Sequence, residues 1–360
     1  MRIIIAFDSM KGCITSAEAN AAAAEGVHAA FPDAEVVSLT MSDGGDGMLD
    51  AFSCAIKAER RTITVHDPLM RLISAEFAIT NGGTAVIEMA RASGLSLLTE
   101  QEFNPWEASS AGTGEMIAEA VRLGCNHIII GLGGSATSDA GKGLLDALSN
   151  AFPIIEGRTS PLQITIASDV VNPLCGPQGA AYVFARQKGA KSIGEIEKID
   201  KRAQLFAEQI KAETGIDYSH YPGAGAAGGC GFALLALQSL CKGKVEVRME
   251  SGAELLLQML QFDKLLANST IVITGEGSSD RQTLMGKLPM HILRHAQQHG
   301  IPVALLSGQI HEKETLLSAG FARTESFNPP SLPLNEAIKP SVAKHNISVF
   351  CTNVFCAMHV

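Results

Sequence analysis

Short apolar segments that run directly into polar, glycine-rich turns recur along this chain, and they constrain its fold more than any other feature. Residues 2–7 lead into DSMKG, and residues 35–40 lead into SDGGDG. A nearly continuous apolar run of this length suits a strand that is buried on both faces of a parallel sheet. The sequence therefore predicts an α/β protein in which strands and helices alternate.

Three more junctions of the same kind follow. Residues 127–130 lead into GLGGSATSD, residues 163–167 lead to Asp169 and Asn172, and residues 270–274 lead into GEGSSD. Ordinary turn chemistry explains any single glycine- and aspartate-rich turn. In open α/β sheets, however, ligands bind outside the carboxyl ends of the strands. Five such turns together predict one crevice lined by glycine, serine and acidic residues.

Helices are predicted between the strands. The segment Thr15-Ser16-Ala17-Glu18 fits a capping box and starts a helix that ends before Pro32. Further helices are predicted at residues 115–123, 195–213 and 289–299, and a strand at 302–306. Residues 62–65, 74–80 and 84–89 are short strands without helices between them, and the last two flank Asn81-Gly82-Gly83, a hairpin signal.

A chain of 360 residues exceeds what one hydrophobic core usually supports. We predict two α/β domains: a doubly wound, mostly parallel (flavodoxin/Rossmann-like) domain, interrupted by an inserted mixed α/β domain. The first comprises residues 1–60 plus 255–360, and the second comprises residues 61–254. The boundaries are approximate.

Composition excludes several classes of protein. The net charge of −9 argues against a nucleic-acid partner, which would require clustered lysine and arginine. No apolar stretch approaches the length of about 20 residues that a membrane span needs. The eight cysteines form no CxxC pair, and the first residues do not resemble a signal peptide. We expect a cytoplasmic protein with small-molecule partners, and a homodimer is left open.

Two segments match dinucleotide-binding patterns, GAGAAG at residues 223–228 and GLGGSA at residues 131–136. The first does not follow a strand, and the helix after the second starts too late, so a dinucleotide-dependent oxidoreductase is the weaker alternative. No GxxxxGK[ST] segment is present. His291, His295 and His299 share one helix face, but without accompanying ligands we do not predict a metal there.

The turns read together resemble the type 1 glycerate kinase family of bacteria. The matching stretches include FDSMKG, MSDGGDGM, ARASGLSLL, SSAGTGEMIAEAVRLG, IIIGLGGSATSDAGKG, ASDVVNPLCGPQGAA, PGAGAAGGCGFALLAL and VITGEGSSDRQTLMGK. The resemblance implies an enzyme that transfers a phosphoryl group from ATP to D-glycerate with Mg²⁺, in glyoxylate or sugar-acid catabolism. It implies 2-phosphoglycerate as the product, and two α/β domains with the active site in the cleft between them.

The mechanism expected from this chemistry assigns three sets of residues. The catalytic set is Asp8, Lys11, Asp139 and Asp169, and the magnesium ligands are Asp43 and Asp169. Glycine-rich turns and helix N-termini bind phosphate oxygens, and arginine can pair a carboxylate in bidentate fashion. The set that binds substrate or phosphate is Ser9, Asp43, Gly44, Gly45, Gly47, Arg91, Gly112, Thr113, Gly114, Gly133, Gly134, Ser135, Asn172, Glu276, Asp280 and Lys287.

The chain departs from the family pattern at Ser278, where an arginine is common, at Met285, where a histidine is common, and at Ala111, where tyrosine or threonine is usual. These departures leave open a non-catalytic sensor of sugar acids or nucleotides. The stretch from about Leu332 to the end is expected to lack the amphipathic helix of the family.

Overall fold

A computed structural model describes residues 1–45 and 47–356, and for residues 354–356 only the backbone. Internal contacts divide the chain into two compact units. The first consists of Met1–Asp43 and the described residues from Ala253 onward, and the second is Gly44–Gly252. The first break lies between residues 43 and 44, whereas the sequence placed it between 60 and 61. The difference arises because the helix Met48–Ile56 packs on strands of the second unit.

The secondary structure alternates along most of the chain. The strands are β1 (Arg2–Phe7), β2 (Glu35–Ser38), β3 (Glu59–His66), β4 (Leu72–Ile79), β5 (Thr84–Glu88), β6 (His127–Gly131), β7 (Leu162–Ala167), β8 (Val245–Glu250), β9 (Ile271–Gly275), β10 (Ser278–Ser279), β11 (Val303–Ser307), β12 (Gln309–Ile310) and β13 (Arg323–Ser326).

The helices are α1 (Ser16–Ala30), α2 (Met48–Ile56), α3 (Ala90–Ser93), α4 (Ala111–Arg122), α5 (Lys142–Leu148), α6 (Phe152–Glu156), α7 (Ala180–Phe184), α8 (Ile193–Thr214), α9 (Cys230–Leu240), α10 (Gly252–Met259), α11 (Phe262–Leu266), α12 (Leu288–Gln298), α13 (Lys313–Ser318), α14 (Leu334–Ala337) and α15 (Pro340–Cys356). Short 3₁₀ helices lie at Leu95–Leu97, Glu100–Glu102, Ser149–Ala151, Arg186–Lys188, Ala226–Gly229 and Arg281–Met285.

The first unit is built on a five-stranded sheet of order β13-β11-β9-β1-β2, and every pair in it is parallel. Residues 3–7 of β1 are fully buried, as predicted for a strand covered on both faces. Because the strands are parallel, the carboxyl ends of the neighbours β1, β9 and β11 lie at the same edge of the sheet. The turns that follow these three strands therefore come together.

The second unit contains a six-stranded mixed sheet of order β3-β4-β5-β6-β7-β8. The pairs β3–β4 and β4–β5 are antiparallel, which confirms the predicted hairpin, and β5 to β8 run parallel. A large apolar core packs α4, α5 and α9 around this sheet. A mixed α/β fold with parallel strands is thus confirmed.

The capping box at the start of α1 is also confirmed. The Thr15 hydroxyl accepts a hydrogen bond from the Glu18 N–H at 3.2 Å, and the Glu18 carboxylate accepts one from the Thr15 N–H at 3.0 Å. These two bonds satisfy donors that a helix N-terminus otherwise leaves unpaired.

The expectation for the C-terminal stretch was wrong, because residues 340–356 form the helix α15. Its buried face consists of Ala343, Ile347 and Cys351, which are four residues apart and pack with α1. Gly26 of α1 allows this close approach, since a Cβ there would collide with the Ser348 carbonyl. The apolar stripe is narrow, so the amphipathic character of this helix is hard to recognise from the sequence.

None of the described helices combines the length and the apolar character needed to cross a membrane.

Candidate functional site

A cavity of about 520 Å³ opens in the first unit beside the ends of β1, β9 and β11. Each of these strands contributes the turn that follows it, and the C-terminal helices α14 and α15 close the apolar side. The lining residues are Asp8, Ser9, Met10, Lys11, Cys13, Asp43, Glu276, Gly277, Ser278, Lys287, Gly308, Gln309, Phe327, Asn328, Leu334, Ala337, Ile338 and Ala343. Three carboxylates and two lysines thus share one cavity.

Asp8 is the first residue after β1, and its backbone N–H bonds the Gly275 carbonyl at the end of β9. The pKa of the Asp8 carboxyl is raised to about 7, first by burial and then by the neighbouring carboxylates of Asp43 and Glu276. The Ser9 N–H and Lys11 act in the opposite direction but do not cancel this rise. A carboxyl group whose pKa lies near neutral pH can exchange a proton under working conditions.

Glu276 follows β9 and is only 7% exposed. One carboxylate oxygen accepts hydrogen bonds from the hydroxyls of Ser279 (3.0 Å) and Thr283 (2.6 Å), and the other pairs with the ammonium of Lys287 at 3.0 Å. A buried carboxylate is stable only when it is paired and hydrogen-bonded in this way. Glu276 therefore holds Lys287, the residue before α12, at the cavity wall.

The remaining predicted residues of the first unit have different positions. Lys11 is exposed at the tip of the turn after β1. Asp280 caps the 3₁₀ helix Arg281–Met285 through a 2.7 Å bond from the Gln282 N–H, and it does not line the cavity. Its observed contact is therefore structural.

In the second unit, the glycine-rich segment before α2 packs backbone against backbone with the ends of β6 and β7. A Cβ on Gly44 would collide with the Ala167 carbonyl, and a Cβ on Gly133 would collide with Gly45. Gly44 and Gly47 also adopt positive φ. Gly44 and Gly133 thus allow this segment to approach the two strand ends closely, which is a reason for glycine independent of any ligand.

Asp139 ties two helix starts together. One of its oxygens accepts bonds from the N–H and hydroxyl of Ser110 (2.9 and 2.8 Å) and from the Gly143 N–H (3.1 Å), and the other accepts from the Gly141 N–H (3.0 Å). These hydrogen bonds join the start of α4 to the start of α5. This geometry favours a positioning role for Asp139.

Helix α4 starts at Ala111, four residues earlier than predicted, so Gly112, Thr113 and Gly114 lie in its first turn. Side chains are excluded at both glycines, by the His66 carbonyl at Gly112 and by Leu144 at Gly114. The Thr113 hydroxyl is buried and bonds the Ser93 hydroxyl at 2.8 Å. Close packing thus occupies the segment that the sequence proposed as an anion site.

Arg91, Asp169 and Asn172 were predicted to contact the substrate or metal. Arg91 forms ion pairs with Glu88 (3.5 Å) and Asp50 (3.7 Å) on its own unit. Asp169 is exposed just after β7. The Asn172 amide donates to the Gln178 carbonyl at 2.9 Å, within its own loop.

The sequence analysis missed Lys188, which is buried beneath the turn after β6. Its ammonium donates to the Ser135 hydroxyl at 2.8 Å and to the Thr137 carbonyl at 2.7 Å. Gly134 and Ser135 thus lie next to a buried cation. Nothing in the local sequence QKGAK distinguishes this lysine from a surface residue.

The five acids predicted to share one pocket belong to two different units. Asp8, Asp43 and Glu276 line the cavity of the first unit, whereas Asp139 and Asp169 belong to the second.

A sequence profile of the glycerate kinase family matches residues 3–159 and 153–359. The chain belongs to the glycerate kinase family. Membership makes it an enzyme of the kinase class, in agreement with the resemblance seen in its turns.

Characterised relatives match over nearly the whole chain. Glycerate 2-kinase of Escherichia coli K12 is 36% identical over 334 residues, covering 86% of each chain. A glycerate kinase of Halalkalibacterium halodurans is 35% identical over 362 residues, covering 94% of this chain and 93% of its own. A crystal structure of a protein assigned as glycerate kinase 2, from Salmonella typhimurium LT2, matches with a TM-score of 0.79 at 32% identity, covering 100% of this chain and 98% of its own.

The positions where this family member departs from the usual pattern are now located. Ser278 lies in β10 and lines the cavity, and Met285 is exposed at the end of the neighbouring 3₁₀ helix. Ala111 is the first residue of α4.

Within the described ranges, no group of three or more histidine, cysteine, aspartate or glutamate side chains is arranged to hold a metal ion. The three histidines of α12 contact carboxylates instead. His291 and His295 bond Glu254, and His295 and His299 bond Asp263, at 2.9 to 3.3 Å.

Proposed function

We propose that this protein is an ATP-dependent kinase that phosphorylates D-glycerate to 2-phosphoglycerate with the help of Mg²⁺. The observation that carries the proposal is the Asp8 carboxyl, which shares a cavity with Asp43 and Glu276 and has a pKa raised to about 7. Groups with strongly shifted pKa values in a cavity are candidates for acid–base chemistry. The names of the E. coli and H. halodurans relatives support glycerate as the acceptor.

In this proposal Asp8 accepts the proton of the glycerate hydroxyl that becomes phosphorylated. A base with a pKa near the working pH is efficient, because it is available in the deprotonated form and still binds a proton well. Lys11 and Lys287 line the same cavity and supply positive charge for the carboxylate of glycerate or for the transferred phosphoryl group. Ser9 lines the same cavity, and its hydroxyl is a further donor for the same anion.

In the second unit we propose that the turn containing Gly133, Gly134 and Ser135 binds phosphate oxygens. Asp169 is an exposed carboxylate just after β7, whereas Asp139 acts by positioning the starts of α4 and α5. Gly44 and Gly45 act by allowing close packing of the turns, and Gly47 supplies the positive φ before α2.

Mg²⁺ usually retains several waters and binds one or two carboxylates beside substrate phosphates. A cation relieves the repulsion between neighbouring carboxylates. Asp43 shares its cavity with Asp8 and Glu276 and is therefore a proposed ligand of the ion. Asp169 stays a proposed ligand on the chemistry of its exposed carboxylate alone. When bound, the ion would neutralise charge on the phosphates.

The decisive experiment measures ADP release with ATP, Mg²⁺ and D-glycerate in a coupled assay. Lys11→Ala and Asp169→Ala should each lower kcat by about 100-fold or more with unchanged melting temperature. Lys201→Ala and Asp33→Ala are matched exposed controls and should behave like the parent protein. Near-normal turnover in both test variants would remove these residues from the mechanism.

Phosphorus NMR of the product then decides between the 2- and 3-phosphoglycerate outcomes. Binding of glycerate or nucleotide without turnover would favour the sensor alternative. We propose the cytoplasm as the setting of the reaction, as the cysteine pattern suggests.

A further inference from the structure

Lys188 is a buried cation that the proposed function does not use. It ends the 3₁₀ helix Arg186–Lys188 in the second unit and is only 3% exposed. Its ammonium donates to two neutral acceptors, the Ser135 hydroxyl and the Thr137 carbonyl. A buried charge without a directly bonded counter-ion is costly, and such groups are retained mostly for function.

The nearest acids do not neutralise Lys188 by hydrogen bonding. Asp139 contributes a favourable charge interaction, but its oxygens are bonded to Ser110 and to the backbone of α5. Burial lowers the pKa of the Lys188 ammonium to about 8, and Cys230 and Asp139 oppose this effect. The Lys188 side chain is therefore mostly protonated at neutral pH and loses its proton as pH rises through about 8.

The hydrogen bond from Lys188 determines whether the Ser135 hydroxyl acts as a donor or as an acceptor toward a further partner. An ammonium group can only donate, so the Ser135 oxygen must accept from it, and the hydroxyl hydrogen remains for another acceptor. Among the residues that the structure describes, no hydrogen bond uses this hydrogen. Ser135 is 6% exposed and follows Gly133 and Gly134 at the end of β6.

We propose that Lys188 is a positioning residue that makes Ser135 a hydrogen-bond donor to a phosphate oxygen of the nucleotide and places positive charge behind the Gly133–Gly134 turn. The inference rests on the proposed kinase function. It extends that function by assigning the hydrogen-bond donor with which this turn recognises phosphate. A phosphate oxygen can only accept, so a hydroxyl that is obliged to donate suits it.

The test is a double-mutant cycle with Lys188→Met and Ser135→Ala. Lys188→Met should raise KM for ATP or lower kcat/KM for ATP roughly tenfold or more, and Ser135→Ala should have a similar effect. In the Ser135→Ala background, Lys188→Met should add only a small further loss, because both changes remove the same donor. Lys191→Met, an exposed lysine on the same segment, is the matched control.

A purely structural lysine would behave differently. Its replacement would lower the melting temperature, and the effects of the two variants on ATP would multiply instead of overlapping. Should Lys188→Met not fold, Ser135→Ala and Lys188→Arg, which keeps a charged donor, carry the test. An unchanged KM and kcat for ATP in folded Ser135→Ala would overturn the proposal.

The pH profile supplies a second readout. Burial raises the pKa of the Cys230 thiol to about 12, so this neighbour stays neutral over the pH range of the test, and Asp139 is the charged group that acts on Lys188 there. ATP affinity of the parent protein should fall as pH rises above about 8, and this fall should be absent in Lys188→Met. A profile identical in both proteins would contradict the assignment.

Failure of this inference is distinguishable from failure of the proposed function. Binding of ATP can be followed by calorimetry without any acceptor. If the parent protein turns over D-glycerate and both variants bind ATP equally well, only the role of Lys188 is refuted. If the parent protein binds ATP but phosphorylates nothing, the kinase proposal is refuted instead.

Discussion

Replacing Asp8 by asparagine is expected to stabilise the protein at alkaline pH and to abolish activity. Asparagine keeps the acceptor for the Ser9 N–H but cannot become charged beside Asp43 and Glu276. The pKa of the Asp8 carboxyl is about 7 in the folded protein, against an ordinary value of 3.8. Because the folded state binds this proton more tightly, protonation of Asp8 favours folding.

The sign and the size follow from these two values. The stability that protonated Asp8 contributes is fully present below pH 3.8 and is lost as pH rises through about 7. A pKa difference of one unit corresponds to about 1.4 kcal/mol, so the complete loss is at most about 4 kcal/mol, and about half of it falls between pH 5.5 and 8.5. Because the carboxyl is partly exposed, solvent screening reduces the expected change in stability between these two pH values to about 1 to 2 kcal/mol.

The assay is thermal unfolding by calorimetry at pH 5.5 and pH 8.5, without nucleotide or divalent cations, because ligands would shift the transition. The advantage of Asp8→Asn over the parent protein should grow by about 1 to 2 kcal/mol between these two pH values. For a unit of this size, that corresponds to roughly 2–8 °C in melting temperature. Turnover of D-glycerate should fall by about 100-fold or more if Asp8 is the base.

Asp33→Asn is the control, since Asp33 is exposed and does not line the cavity. The difference in stability between Asp33→Asn and the parent protein should be the same at pH 5.5 and pH 8.5. The reasoning is refuted if Asp8→Asn gains nothing at pH 8.5 relative to pH 5.5, or if Asp33→Asn gains as much. Stability gained together with activity lost would be the trade-off expected of a strained functional group.

Three further predictions concern stability. Asp139→Ala leaves several partly buried donors unpaired and should lower the free energy of unfolding in urea by about 3 kcal/mol, and a loss below about 1 kcal/mol would contradict the contacts described. Gly275→Ala places a Cβ against the Leu306 carbonyl and should cost about 3 kcal/mol or more. Gly277→Ala, whose Cβ would only make ordinary contact with the Met10 Cβ at 3.9 Å, should be tolerated in the same denaturation assay. Burial lowers the pKa of His295, but bonds to Asp263 and Glu254 outweigh it and raise the pKa. His295→Gln should therefore cost more stability at pH 6 than at pH 8.5, and an equal cost at both would contradict the ion pairs.

Much of the fold was predictable because buried parallel strands have a strong local signal. The strand at residues 2–7 and the hairpin around Asn81-Gly82-Gly83 follow from apolar runs and turn chemistry. The start of α4 was missed because Gly112 and Gly114 read as helix breakers, whereas tertiary packing requires them inside the helix. Helix α15 was missed because its buried stripe is narrow.

The site was predictable only where chemistry and position coincide. Asp8, Asp43 and Glu276 follow strand ends or turns of one parallel sheet, so residue type and strand order sufficed to group them. The sequence could not show that the Asp139 carboxylate joins the starts of two helices, since its partner Ser110 lies 29 residues earlier in the chain. Lys188 was invisible because its burial depends on contacts with residues more than 50 positions earlier.

The pairing of β1 with β9 has a consequence for how the chain is made. Residues hydrogen-bonded across these strands, such as Ala6 and Thr274, are 268 positions apart. At ribosomal rates of about 5–20 residues per second, β9 emerges roughly 10–50 s after β1. During that interval the contiguous second unit can complete its own sheet, while the apolar first strand waits with only β2 as a neighbour. Strand β1 therefore lacks one of its two neighbours in the sheet until the last third of the chain has been synthesised.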